Sequence, residues 1–344
     1  MVTGATVSPA TDGAAWDAYV AEHPGATPDH LWGWRRVFES ALGHRCCYLV
    51  AHRDAVVAGV LPLVKVRSLL FGRSLVSLPF LNYGGLLADD QDVARALVDA
   101  ARSEALAFRA SHVELRHLKR QCDGLPARRH KVRVTLPLPA SSEALWTDLD
   151  RKIRNQVRKA QKEGLETSEG GAELVDEFYA VFARNMRDLG TPVYPKALFL
   201  ETLLALGGVA RVFIVRRDGQ AMAAGITVTA AGIALNPWAS SLREFRHLSP
   251  NMLLYWAMLQ RAINDGASMF DFGRSTRGAG THQFKLQWGG QEQDLHWEYV
   301  LLSRAAPPDQ GPSNSKFDRV IALWQRLPLV IANTFGPFIA KQLP

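Results

Sequence analysis

The stretch Met269–Gly290, MFDFGRSTRGAGTHQFKLQWGG, gathers more chemically able side chains than any other part of the chain. One acid, Asp271, sits in a short apolar run, where an unpaired carboxylate is costly unless something satisfies it. A turn rich in glycine and arginine follows, with Gly273, Arg274, Arg277, Gly278 and Gly280. An amphipathic segment with His282, Phe284, Lys285 and Trp288 then closes on Gly289-Gly290. A lone acid beside a flexible cationic loop suits an anionic ligand.

Three other stretches could face such a ligand. In RKIRNQVRKAQK, at ~100° per residue, Arg151, Arg154, Arg158 and Lys162 share one helical face. Ile153, Val157 and Ala160 share the opposite face, together with Trp146 just before the segment. A cationic ridge with no intervening acid is either a solvated face or an anion contact. In REFRHLSPNMLLY, Ser249 is expected to cap a helix whose first residue is Pro250. Arg243, Arg246 and His247 stand just before it, and free amides at a helix start favour anions. This resembles the place where acetyltransferases of the GNAT superfamily hold coenzyme A pyrophosphate, except that their Gly-rich turn is absent. In Asn236-Pro237-Trp238, Pro237 removes a ladder donor and is expected to mark an edge, a bulge or a strand end. Nothing matches a nucleophile elbow, a zinc-protease motif, a phosphate-binding loop or a paired-carboxylate site. Direct transfer between two bound substrates is therefore expected, without a covalent enzyme intermediate.

The elements that must position these residues follow from length and pattern. The chain has 344 residues, 47% of them hydrophobic and 21% charged, with a net charge of +7. That composition describes a globular protein of about two domains with a preference for anionic partners. Three cysteines (Cys46, Cys47, Cys122) without ligand spacing read as reduced thiols and argue against structural zinc. The N-terminus has no signal-peptide pattern, and no run reaches the ~20 apolar residues of a spanning helix. A cytoplasmic protein is expected.

Two halves repeat one layout: strands, a glycine-containing loop, a long helix, then a short strand bearing an acid, Glu114 in the first half and Asp271 in the second. This gives an α/β (α+β) fold of two related domains with mixed sheets flanked by helices. The first is expected over 1–138 and the second over 139–305. A linker around Pro307–Pro312 and an apolar helical tail complete the chain over 306–344. One continuous helix is expected from Ser142 to Gly164. The tail, Lys316–Pro344, is too broken by Pro328 and Pro337 to span a bilayer, and packs on its own body, lies on a membrane surface or sits in a partner's groove.

Seven segments together resemble the FemAB family, in particular the FemAB-related proteins associated with PEP-CTERM/exosortase and exopolysaccharide loci. They are LPFLNYGG (Leu78–Gly85), RKIRNQVRKAQKEGL (Arg151–Leu165), RDLGTPVYP (Arg187–Pro195), NPWASSLREFRHLSPNMLLYW (Asn236–Trp256), FDFGRS (Phe270–Ser275), FKLQWG (Phe284–Gly289) and LWQRLPLVIANTFGP in the tail. The resemblance covers nearly the whole chain. It implies two tandem GNAT-like domains and acyl transfer to an amine without a metal, the better-known members using aminoacyl-tRNA and a peptidoglycan precursor. It also implies that Phe284-Lys285 faces the donor ester, with Lys285 steadying the oxyanion. The family's nucleotide-binding lysine falls at Phe38 here, with Arg35 and Arg36 as neighbours. His282 stands where relatives often carry an aromatic hydroxyl.

The expected site therefore has Asp271 to orient or deprotonate the amine and Lys285 to hold the oxyanion. Arg154, Arg158 and Arg274 hold phosphates. Asn82, Tyr83, Tyr194, Trp238, Ser249, His282 and Phe284 shape the cleft. The expected donor is aminoacyl-tRNA or acyl-coenzyme A, and the acceptor an amino-bearing glycan or peptidoglycan-type precursor. Two alternatives stay open: an acyl-coenzyme A N-acyltransferase acting on an amino sugar, and a non-catalytic assembly protein at the inner-membrane face.

Overall fold

The computed structural model describes residues 4–69, 71–304, 306–308 and 318–342. In the first half the order is β1 (Thr6–Pro9), α1 (Gly13–Glu22), α2 (Trp34–Leu42), β2 (Arg45–Arg53), β3 (Val56–Ser68), β4 (Gly72–Val76), β5 (Leu87–Ala88), α3 (Gln91–Ala107), β6 (His112–His117), β7 (Ala127–Arg128) and β8 (Val132–Pro137). The second half continues with α4 (Ser142–Asp148), α5 (Arg151–Lys162), β9 (Glu166–Gly170), α6 (Val175–Leu189), α7 (Lys196–Ala205), β10 (Ala210–Arg217), β11 (Gln220–Ala230) and β12 (Ile233–Ser241). It ends with α8 (Pro250–Asn264), β13 (Met269–Ser275), α9 (Gly280–Leu286), β14 (Gln291–Asp294) and β15 (His296–Leu301), before the tail helices α10 (Asp318–Gln325) and α11 (Leu329–Ala340). Part of the expected linker, residues 309–312, and the tail residues 316, 317, 343 and 344 lie outside the described residues.

Local side chains explain where several helices begin. The carboxylates of Asp12, Asp90 and Asp150 accept from first-turn amides of α1, α3 and α5, and the Ser141 hydroxyl does so for α4. The Asp150 cap also corrects one expectation. The segment from Ser142 to Gly164 is two helices, because Leu149 turns extended and Asp150 starts a new helix by accepting from the Lys152 amide at 2.6 Å. The apolar stripe of the second helix is as expected, with Ile153, Val157 and Ala160 buried.

The fold is mixed α/β with two mixed sheets. One sheet has the order β1-β2-β3-β4-β6-β15-β7, with β5 against β3, and the other β14-β8-β13-β12-β11-β10-β9. In each, one parallel pair interrupts an otherwise antiparallel ladder: β4 with β6, and β12 with β13. The duplication is visible at residue level. Val76 pairs with Glu114 in the first sheet as Leu235 pairs with Asp271 in the second, and both acids are fully buried.

The sheets do not divide at 138–139. β8, from the first half, pairs with β13 and β14 in the second sheet, while β15, from the second half, pairs with β6 in the first. Each half thus completes the other. The largest apolar core is also shared, joining Trp34, Phe38 and Phe80 to Phe178, Phe182, Phe199 and Trp238. α2 packs on α7 across this core.

Candidate active site

The second sheet opens where β12 and β13 part. Their parallel pairing covers only Ile233–Leu235 against Met269–Asp271. Just beyond, Asn236 and Pro237 lie opposite the single residue Thr227, since Leu235 pairs with Val228 and Trp238 with Ile226. This is a β-bulge, one of the outcomes expected of Pro237. Asn236 secures it: its side-chain amide donates to the Ile226 and Trp238 carbonyls at 2.7 and 3.0 Å, and its oxygen accepts from the Tyr255 hydroxyl at 3.1 Å. The parted strands border a cleft of about 690 Å³.

Lys285 lies in that cleft, only 8% exposed. Its ammonium donates to the carbonyls of Gly273 and Arg274 at 3.1 and 2.9 Å. Burial brings its pKa down from 10.5 to about 8, with the Asp271 carboxylate opposing the fall and Arg274 adding to it. Phe284 borders the same space and meets Tyr255 edge to face at 4.9 Å. Gly273 allows the turn that presents both carbonyls. Its φ is +73°, and a Cβ there would lie 2.9 Å from the Asn82 side chain.

Asp271 is placed differently from a free base. Its carboxylate accepts from the Tyr83 hydroxyl at 3.0 Å, the Gly273 amide at 2.7 Å and the Arg133 guanidinium at 2.6 Å, with no exposure. It ties the first-half loop, β8 and the turn beneath Lys285 together. Burial and the nearby Asp271 charge hold the Tyr83 hydroxyl well above its ordinary pKa. Tyr83 itself borders a second cavity of about 410 Å³ on the first-half side, with Arg133 and His117.

Of the remaining expected residues, Asn82, Ser249 and Arg274 line the cleft. The Arg274 guanidinium lies over the Trp297 ring at 5.3 Å and has no ion pair among the described residues; burial, then the Arg116 charge, lowers its pKa to about 10. Ser249 differs from the expected cap: it is left-handed at φ +60°, and its side chain makes no capping bond.

Five expectations fall elsewhere. Trp238 is buried between Trp34 and Phe199, and Tyr194 packs on Phe80 and Phe182, both outside the cleft lining. Arg158 is exposed and stacks on Trp146, and Arg154 is half-buried; the cleft reaches α5 only at Gln156. Through that residue it adjoins an open groove of about 520 Å³ bearing Arg151, Lys152 and Lys159. His282 is buried behind the loop. Its Nδ1 accepts from the Gly278 amide at 3.2 Å, so Nε2 carries the proton and donates to Glu292 at 2.8 Å. Arg277 pairs with Glu292 and Asp294 on the same strand, which holds this part of the cationic turn down.

Sequence reasoning missed Tyr255, Asn185 and Gln156 in the cleft and Arg133 against Asp271. Each lies within a helix or strand whose apolar period gives no sign of which polar residue turns inward. Arg243 and Arg246, noted only for standing before α8, line the cleft beside Ser249.

Residues 148–286 match the family model described as an acetyltransferase (GNAT) domain. That span runs from the end of α4 through the splayed strands to the residue after Lys285. No curated protein matches the chain in sequence. Solved structures share the fold over most of the chain. FemX superposes with a TM-score of 0.68 at 16% identity, covering 87% of this chain and 98% of that one. The C-terminal domain (DUF2156) of a putative lysylphosphatidylglycerol synthetase from Agrobacterium fabrum gives 0.57 at 13% identity, covering 83% and 90%. A tandem GNAT protein from the clavulanic acid biosynthesis pathway gives 0.53 at 13% identity, covering 89% and 100%. The two sheets therefore form a tandem GNAT-type fold. Among the described residues, no group of three or more His, Cys, Asp or Glu side chains is placed to share a metal ion.

Proposed function

We propose that this protein is an acyltransferase that forms an amide on an amino group by direct transfer in the cleft between β12 and β13. The observation that carries the reading is Lys285: an almost water-excluded ammonium, held by two carbonyls of the turn after Asp271, at the opening of a splayed GNAT-type sheet. A charge in so dry a place is worth ~3 kcal/mol to a developing oxyanion. The acceptor nitrogen's lone pair forms the new C–N bond, and the carbonyl oxygen becomes negative against Lys285. The bond to the leaving oxygen or sulfur then breaks. The proton shed by the nitrogen ends on that leaving atom, because the Asp271 carboxylate is already occupied by three donors. In this reading Asp271 is a positioning residue, and the halves 1–138 and 139–305 act as one unit because they exchange β8 and β15.

A phosphate-bearing donor, acyl-coenzyme A or aminoacyl-tRNA, is supported by Arg243, Arg246 and Arg274 in the cleft and by the adjoining Arg151, Lys152 and Lys159. Both donors are cytoplasmic, so we place the activity there. The acceptor we propose is an amine of a cell-envelope or exopolysaccharide precursor. This part of the reading, with the FemAB-related and exosortase context, rests on the seven sequence segments. The acyl-coenzyme A version, with an amino-sugar acceptor, is favoured by one feature: Ser249, Pro250, Asn251 and Met252 at the start of α8 all border the cleft. A non-catalytic assembly protein would need neither the splayed strands nor a buried Lys285.

The test is thermal stabilisation of the purified chain by coenzyme A esters, aminoacyl-tRNA and nucleotide amino sugars, followed by turnover with the ligands that bind. Stabilisation by a donor and amide formation that depends on Lys285 are expected. Donor binding with amide formation unaffected by Lys285→Met removes the assignment.

A further inference from the structure

α11 packs beside α6, burying its smallest residues and leaving its largest outside. Ala332, Gly336 and Ala340, four residues apart, form the buried row. A Cβ at Gly336 would lie 3.0 Å from the Val193 amide nitrogen, so any larger residue requires the backbone at Val193 to give way. The other face carries Val330 (77% exposed), Phe338 (71%), Phe335 (57%), Ile331 (41%) and Ile339 (37%). α10 adds the exposed Leu323 and Val320. The turn between β3 and β4 reaches the same end of α11: the Leu69 amide donates to the Gln342 side chain at 3.0 Å, and Leu69 is 94% exposed. Exposed apolar groups gathered in this way mark an interaction surface.

We propose that the tail helices and the β3–β4 turn form one docking surface for an anionic lipid membrane. The charges choose the partner. Over the tail helices, 318–342, the sequence holds Arg319, Arg326 and Lys341 against one acid, Asp318, and the strands around the β3–β4 turn add Arg67 and Arg73, while Lys65 is paired with Glu104 at 2.9 Å. Arg326, Arg67 and Arg73 are exposed. Apolar side chains flanked by cations suit the boundary between acyl chains and anionic headgroups. A symmetric second copy fits poorly, since a self-facing patch would set an excess of cations on one copy against the same excess on the other. Among the described residues no helix is long and apolar enough to cross a membrane, so the surface lies on the bilayer. The proposal is independent of the chemistry in the cleft.

The experiment is flotation of the full chain with phosphatidylcholine vesicles, with and without phosphatidylglycerol. Flotation with phosphatidylglycerol vesicles is expected, weakening with salt. Phe335→Ser with Phe338→Ser should cut it at least about tenfold without lowering the melting temperature, since both side chains stand in solvent. Arg326→Gln with Lys341→Gln should weaken it and flatten its salt dependence. Three results overturn the proposal: no flotation of the parent, equal flotation with and without phosphatidylglycerol, or light scattering showing a dimer that the Phe335/Phe338 variant dissociates.

Discussion

Lys285→Met separates a catalytic lysine from a structural one. Burial holds the ammonium at a pKa of about 8 against an ordinary 10.5, a difference worth ~3 kcal/mol against the charged form. The sign follows from proton counting. Between pH 8 and 10.5 the unfolded chain binds the Lys285 proton and the folded chain has released it, so stability rises with pH across that window. Below it both states are protonated and the full penalty is present. Methionine removes the penalty and forfeits the hydrogen bonds to Gly273 and Arg274, worth ~1 kcal/mol each when made and more when a carbonyl is left unsatisfied. The two effects nearly offset, so the variant should stay within ~2 kcal/mol of the parent at neutral pH and lose the rise at alkaline pH. Turnover should nevertheless fall ~10²–10³-fold, as when an oxyanion donor is removed. In the parent, activity should decline as pH passes through about 8, where the ammonium loses its proton. Urea unfolding across pH, with steady-state rates at matched folding, is the assay. A variant that keeps its rate within about threefold, or a parent whose stability is flat across the window, refutes the reasoning.

Three further outcomes are expected. Asp271→Asn should destabilise the fold by ~3–5 kcal/mol in urea unfolding, because it strands the buried Arg133 guanidinium; a loss of rate with unchanged stability would restore Asp271 as the base. Ser249→Gly should raise stability by ~1 kcal/mol by relieving a left-handed serine, read from the denaturation midpoint. His282→Ala should release the turn around Gly278 from β14, read as faster proteolytic nicking between Thr276 and Ala279, with little change in the melting temperature.

Part of the lining of the candidate cleft was legible because most of its residues are close together in the sequence. Phe284, Lys285, Arg274, Ser249 and Asn82 all stand in the cleft, and Pro237 marks its bulge. The repeated acid on a short strand marks the duplication in the sequence itself. Long-range pairing was not legible. Alternation within Val132–Pro137 and His296–Leu301 shows that each is a strand, but not which sheet accepts it, and the halves exchange these two. The same gap hid the partner of Asp271: Arg133 comes from the exchanged strand, so a residue that looked unpaired along the chain is saturated in space. Ser249 looked like an ordinary cap because hydroxyl preference predicts residue type and not the sign of φ.

Acyl transfer in the Lys285 cleft, as proposed, leaves an amide product. The most direct measurement is mass-spectrometric detection of amide product in a single turnover, using whichever coenzyme A ester or aminoacyl-tRNA stabilises the protein and a panel of amino sugars and peptidyl amines. Amide is expected from the parent and almost none from Lys285→Met at equal folding. Donor bound in the cleft with no amide from any acceptor, or equal product from both proteins, contradicts it.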